Sequence, residues 1–154
     1  MAVPPFEQLY ERHAGEILGY LRRLAGPPAA EDAFQETFLR ALRGYPSLRS
    51  AENLRAWLFT IATRVVIDER RRTVAPAAEL PELPSEDVLP PHLDLEHLTG
   101  SLPPTERAAV TLRYGYDLSY AEIGAVLGSS EEAARQAASS GVRRLRRDTQ
   151  RRTE

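Results

Sequence analysis

Cysteine is absent from this 154-residue chain, which excludes disulfides and thiolate metal sites. Lysine is absent as well: all 20 basic residues are arginine. Two readings of that bias stay open. It reflects genome composition, or it reflects a preference for guanidinium forks, which suit phosphates and guanine edges better than ammonium groups do. No apolar run approaches the roughly 20 residues a membrane-spanning helix needs. The opening MAVPPFEQLYERH lacks the basic and apolar blocks of a signal peptide. A soluble, cytoplasmic chain with no membrane partner is the expectation. Catalytic material is also scarce, with three histidines and no Gly-rich phosphate loop. His13 falls on an apolar stripe and reads as a satisfied core histidine. His92 and His97 are five residues apart, which is poor spacing for one helix face. No enzyme activity, metal or cofactor is expected. Strand-like alternation is missing throughout, so the fold class is all-α.

What the chain does have is an uneven distribution of charge. Residues 1–72 hold 11 arginines against 9 acids, and residues 105–154 hold 9 arginines against 7 acids. Residues 73–104 hold 6 acids, no base and 7 of the 12 prolines. Such a stretch cannot sustain a long helix. It reads as an acidic, Pro-rich linker, 73–100, with a short helical turn around His92 to Leu98. Two small helical domains, 1–72 and 101–150, flank it.

In the first domain, Phe6, Leu9, Tyr10, His13, Ile17, Tyr20, Leu21 and Leu24 follow helical spacing up to the stop at Gly26-Pro27-Pro28. A second helix is predicted from about Ala29 to Arg43, burying Phe34, Phe38, Ala41, Leu42 and Tyr45. A third is predicted from about Ala51 to Arg72, burying Leu54, Trp57, Leu58, Ile61, Ala62 and Val65. It ends in three arginines that complement the negative end of the helix dipole. In the second domain, a helix starts at Leu102-Pro103-Pro104-Thr105 and runs to about Tyr114. Ser119 caps a short helix, Tyr120 to Leu127. Gly128-Ser129-Ser130 turns the chain, and Ser130 caps a long helix from Glu131. Short helix, tight Gly turn and longer helix make helix-turn-helix geometry.

Three ordered segments together resemble the extracytoplasmic-function (ECF) sigma factors of the sigma-70 family. EDAFQETFLRALR (31–43) is similar to the segment that binds core RNA polymerase. NLRAWLFTIATRVVIDERRR (53–72) is similar to the helix that handles the −10 promoter element. LPPTERAAVTLRYGYDLSYAEIGAVLGSSEEAARQ (102–136) is similar to the −35-binding domain, region 4 of the family, while 1–72 corresponds to region 2. The resemblance implies a promoter-specificity subunit that helps open DNA. Its implied partners are core polymerase, through the β′ coiled coil and β flap, promoter DNA, and an anti-sigma protein of the kind that often sequesters family members. The alternative is a sigma-like adaptor or regulator that binds polymerase or a partner protein without true −35 reading.

By that resemblance, Asp32, Gln35, Glu36 and Leu39 are the polymerase-binding positions. Acids flanking an apolar contact suit a basic coiled coil. For the −10 element, the family flips bases into a pocket formed by the loop before the third helix and that helix's exposed side. The matching positions are Arg49, Asn53, Arg55, Thr60, Thr63, Arg64, Asp68 and Arg71, with Arg55, Arg64 and Arg71 as phosphate candidates. The family usually shows Arg-Asn where this chain has Thr63-Arg64, which implies an altered −10 preference. Trp57 suggests a stacking platform, but its spacing places it in the core. For the −35 element, the candidates are Glu131, Glu132, Arg135, Gln136, Ser139 and Arg143. Arg135 can fork onto guanine and Gln136 can pair adenine, while Ser139 and Arg143 would touch phosphate. Ala134, Ala137, Ala138, Gly141, Val142 and Leu145 form the opposite, packing stripe. Ala137, Ser139 and Ser140 stand where the family places basic or aromatic residues, so fewer phosphate contacts and a shallower salt dependence are expected. The acidic linker is expected either to mimic nucleic acid within polymerase or simply to act as a spacer.

Overall fold

The structure is a computed structural model describing residues 3–73 and 101–153. The acidic linker, with the turn anticipated near His92, lies outside the described residues. Six α-helices carry the described chain: α1 (Phe6–Ala25), α2 (Pro27–Gly44), α3 (Leu54–Thr73), α4 (Pro104–Val110), α5 (Tyr120–Leu127) and α6 (Glu131–Thr153). A 3₁₀ turn, Tyr45–Ser47, follows α2, and a π turn, Thr111–Gly115, follows α4. No strand occurs among the described residues, as an all-α chain requires.

Helix α1 buries Leu9, Ile17, Tyr20, Leu21 and Leu24, close to the anticipated stripe. His13 is half-buried, with Nδ1 2.8 Å from Glu16 Oε1. Helix α2 starts at Pro27, two residues before the expected point, because a proline at the first helical position loses no hydrogen bond. Its buried stripe is Ala30, Ala33, Thr37, Phe38 and Ala41. Leu42 was expected in the core and is instead 51% exposed. Leu42 falls about 100° around the helix from Ala41, beyond the edge of that stripe, and so turns outward. Edge-on aromatic contacts clamp the ends of α1 and α2, with Tyr10 4.9 Å from Phe38 and Phe6 5.2 Å from Tyr45 between ring centroids.

Helix α3 starts at Leu54, and its first turn is capped by Asn53, whose Oδ1 accepts from the Ala56 amide at 3.2 Å. Asn53 adopts φ 55°, a left-handed conformation that asparagine tolerates better than most residues. Two faces of α3 are covered. Leu58, Ala62, Val65 and Val66 are buried, and so are Phe59 and Thr63. The sequence pattern placed Thr63 on the exposed face. It is 2% exposed, packed against α1, and its hydroxyl donates to Phe59 O at 2.7 Å and lies 2.7 Å from Tyr20 Oη. Since the Thr63 proton goes to the Phe59 carbonyl, Tyr20 donates to Thr63. Trp57 is half-buried and tilted against Tyr45, in keeping with a packing role.

In the second half, Ser119 and Glu122 form a reciprocal capping box on α5. Gly128 ends that helix at φ 70°. Ser130 Oγ accepts from the Ala133 amide at 3.0 Å, capping α6. Gly124 sits where a Cβ would meet the carbonyl oxygens of Ser129 and Ser130 at 2.9 Å, so the turn closes only over a glycine. Ala134, Ala138 and Gly141 of α6 are buried, and Gly141 packs on Val110 of α4. The small-residue stripe thus serves α4 as well as α5. The two halves are joined by one continuous core that runs from Leu9 to Ala138.

The Tyr20–Thr63 pair gives an ordered expectation. Tyr20→Phe removes the donor and leaves Thr63 bonded to Phe59, costing about 0.5–1.5 kcal/mol. Thr63→Val strands a fully buried Tyr20 hydroxyl and costs about 1–3 kcal/mol. Urea denaturation of both variants checks this, and equal or reversed midpoints would contradict the assigned proton direction.

Candidate nucleic-acid interface

The outer face of α2 presents Asp32, Gln35 and Leu39 to solvent, with Leu39 48% exposed. Glu36 sits beside them but is tied down. Arg40 Nε donates to Glu36 Oε2 at 2.8 Å, and Arg40 Nη1 donates to Asp68 Oδ2 at 2.9 Å, bracing α2 on α3. That hydrogen bond from Arg40 holds the Glu36 carboxyl below its usual range. The face therefore combines acids with two exposed leucines, Leu39 and Leu42.

The residues proposed for the −10 element separate into groups. Arg49, Arg64 and Arg71 are exposed cations. Asp68 is engaged by Arg40, and the Thr60 hydroxyl donates to the Ala56 carbonyl at 2.8 Å. Thr63 lies in the core and presents nothing to a ligand. Asn53 is held by the other half of the chain, and Arg55 is held by both α1 and the other half. Asn53 Nδ2 donates to Glu122 Oε2 at 2.9 Å. Arg55 Nε donates to the Glu16 carboxylate at 3.0 and 3.2 Å, and Nη2 donates to the Tyr116 carbonyl at 2.7 Å. The Arg55 guanidinium also rests 5.4 Å from the Phe59 ring centroid. The head of the α3 face is thus tied by polar contacts to the π-turn region and α5, with Asn53 itself still exposed.

A cavity of ≈ 310 Å³ opens beside Asn53 and Arg55. Its walls come from the loop before α3, the start of α3, and α1, which supplies Gln8, Arg12 and His13. The α1 wall was not anticipated. In sequence, α1 reads as an ordinary amphipathic helix, and nothing in its spacing marks Arg12 as facing a pocket.

All six −35 candidates on α6 are exposed: Glu131, Glu132, Arg135, Gln136, Ser139 and Arg143. Arg135 Nη1 donates to Glu132 Oε2 at 3.0 Å, and Arg143 Nη2 donates to Ser140 Oγ at 3.1 Å. Arg135 also lies over the ring of Tyr120, a neighbour that sequence reading did not select because it belongs to the other helix. With Ala134 and Ala138 buried beneath, α6 has one packing face and one polar face carrying Arg and Gln. Such a face offers groove-reading hydrogen-bond chemistry.

Comparison with known proteins follows this division. The Sigma-70 region 2 profile matches residues 9–75, and the Sigma-70, region 4 profile matches residues 100–147. The ECF RNA polymerase sigma factor SigE of Mycolicibacterium smegmatis is 35% identical over 159 residues, covering 94% of this chain. The chain spans 62% of SigE's length. The RNA polymerase sigma factor CarQ of Myxococcus xanthus is 36% identical over 154 residues, covering 92% of this chain and 87% of CarQ. Among solved structures, CnrH, determined in complex with the cytosolic domain of CnrY, matches with a TM-score of 0.68 at 26% identity. That match covers 91% of this chain and 84% of CnrH.

Glu122 links the capping box to Asn53 and sets a pH expectation. The Ser119 amide, then the Asn53 side chain, holds its carboxyl below the usual range. A depressed folded pKa means the contribution is present above the unfolded value and is lost as pH falls through the folded one. The Ser119 amide resonance should therefore titrate with a midpoint below that of an ordinary glutamate, and Glu122→Gln should flatten the curve. A midpoint at or above that value counts against the cap as a charged acceptor.

Proposed function

The chain belongs to the extracytoplasmic-function RNA polymerase sigma factors of the sigma-70 family, and from that premise we propose how its surfaces divide the work of promoter recognition. The first helical unit, about 1–72, takes polymerase and the −10 element. The second, about 101–150, takes the −35 element. Asp32, Gln35, Glu36 and Leu39 dock core polymerase, with Leu42 extending the apolar contact. Arg49, Arg64 and Arg71 approach −10 phosphates, and the cavity beside Asn53 receives an extruded base. Arg135 and Gln136 of α6 read −35 bases, and Arg143 and Ser139 hold phosphate.

The observation that carries this reading is the division of α6. All six candidates stand on its exposed face, while Ala134, Ala138 and Gly141 pack beneath. A helix whose small residues are used for packing has its polar side left for a ligand. The adaptor alternative draws on the same helix, since Ala137 and Ser140 add little to that side.

Arg55 and Asn53 require a change of arrangement. The Arg55 fork is filled by Glu16 and the Tyr116 carbonyl, and the Asn53 amide by Glu122. For the Asn53 amide to meet DNA, Glu122 of the second half must release it, and Arg55 must leave both the Tyr116 carbonyl and Glu16 of α1. The outer face of α2 needs no such opening, so polymerase docking precedes or accompanies DNA engagement. CnrH is known with the cytosolic domain of CnrY, and by that likeness we propose that this chain is held by a protein partner, of the anti-sigma kind that the family resemblance implies. A cytoplasmic site of action, and no catalytic chemistry of its own, follow from the polymerase-bound role.

Two variants test the division. Leu39→Asp should abolish co-purification with core polymerase while leaving the melting temperature near that of the parent. Arg135→Ala should leave that assembly intact and lower holoenzyme affinity for its promoter about tenfold or more. No −35 sequence preference in the parent, together with little change in Arg135→Ala, would favour the adaptor reading. Normal polymerase binding by Leu39→Asp would remove α2 from the docking surface.

A further inference from the structure

Tyr120, the first residue of α5, packs against two guanidinium groups. Arg113 Cζ lies 4.4 Å from its ring centroid, and Arg135 Cζ lies 5.0 Å from it. Arg113 is itself anchored, since its Nη1 donates to the Leu118 carbonyl at 3.1 Å. The ring thus has one fixed neighbour in Arg113. Arg135 meets the same ring, and its other contact is the Glu132 carboxylate at 3.0 Å.

We propose that Tyr120 is a positioning residue for promoter specificity: it holds the Arg135 guanidinium in the plane and direction from which that group forks onto a base edge. This rests on the reading of Arg135 as the principal −35 reader. The physical need is specific to this chain. Two parallel hydrogen bonds to guanine demand a defined guanidinium plane, whereas a free arginine loses much rotamer freedom on adopting one. A ring face attracts the guanidinium and fixes its plane while leaving its N–H edge outward. The Glu132 carboxylate restrains the same group from along the helix. On a helix offering Ala137, Ser139 and Ser140 to the groove, few other side chains share the reading, so preorganising Arg135 has a large effect. Ile123, Val126, Ala134 and Ala138 are fully buried in the core, while Tyr120 packs at its edge and is only half-buried, which leaves part of its ring for Arg135.

The test uses holoenzyme reconstituted from the full chain and core polymerase, selecting from a duplex promoter library randomised across the −35 element. Arg135→Ala identifies the base position that Arg135 reads. Tyr120→Leu, which removes the ring but keeps apolar bulk, should weaken preference at that same position about three- to fivefold. Preferences elsewhere and the melting temperature should stay near parental values. Tyr120→Phe, which keeps the ring face, should restore most of the preference. Tyr120→Met provides the same comparison should the leucine variant fold poorly. Unchanged preference in Tyr120→Leu or Tyr120→Met, or a loss spread evenly over all positions, overturns the positioning role while leaving Arg135 as reader. A Tyr120→Phe variant as impaired as Tyr120→Leu also overturns it. Unchanged preferences in Arg135→Ala sink the reading of Arg135 and this inference together.

Discussion

The packing of the two described halves against each other depends on where one half-buried tyrosine side chain is seated. Tyr116 follows the π turn after α4, and its ring lies 5.2 Å from Phe59 and 6.0 Å from Tyr20, both in the first half. Its hydroxyl accepts a hydrogen bond from Arg23, and its carbonyl accepts one from Arg55. Gly19 makes the approach feasible: a Cβ there would sit 2.9 Å from the Tyr116 hydroxyl oxygen. A single aromatic residue thus adds apolar area, one edge-on and one tilted ring contact, and two charge-assisted hydrogen bonds to the same junction. Burial raises the Tyr116 pKa, consistent with a neutral phenol held in the junction.

Once Tyr116 is seated, α5 is brought against α3, and the capping-box carboxylate of Glu122 comes within reach of Asn53. The same Glu122 that satisfies the Ser119 amide also engages a −10 candidate. Local helix chemistry and the contact between halves therefore share one carboxylate. Exposed ion pairs contribute little to stability, so the apolar junction around Tyr116 carries the energy of the contact, and the polar pairs set its register.

The three faces assigned to promoter work respond differently to this packing. The α2 face and the polar side of α6 remain open. The head of α3 has its polar groups engaged by Glu122 and Tyr116, while Arg64 and Arg71 farther along the helix stay exposed. A protein that must meet a large enzyme and two separate DNA elements benefits from such a graded availability. Binding energy from polymerase and DNA can then shift the equilibrium away from the closed form.

Much of this was legible in the chain itself. Helical periodicity located α1 through α3, the Ser119 and Ser130 caps and Gly128 defined the helix-turn-helix, and the Ala/Gly stripe told the packing side of α6 from its polar side. These signals are local, because caps, turns and amphipathic spacing act over a few residues. The outward turn of Leu42, the burial of Thr63, the engagement of Arg55 and the stacking of Arg135 on Tyr120 were decided by tertiary structure alone. Each depends on a neighbour from another helix: Tyr20 and Thr63 are 43 residues apart, and Arg55 and Tyr116 are 61 apart. One-dimensional spacing records which side of a helix is apolar. It does not record that α3 is covered on two sides, because the covering surfaces exist only after the chain has folded back.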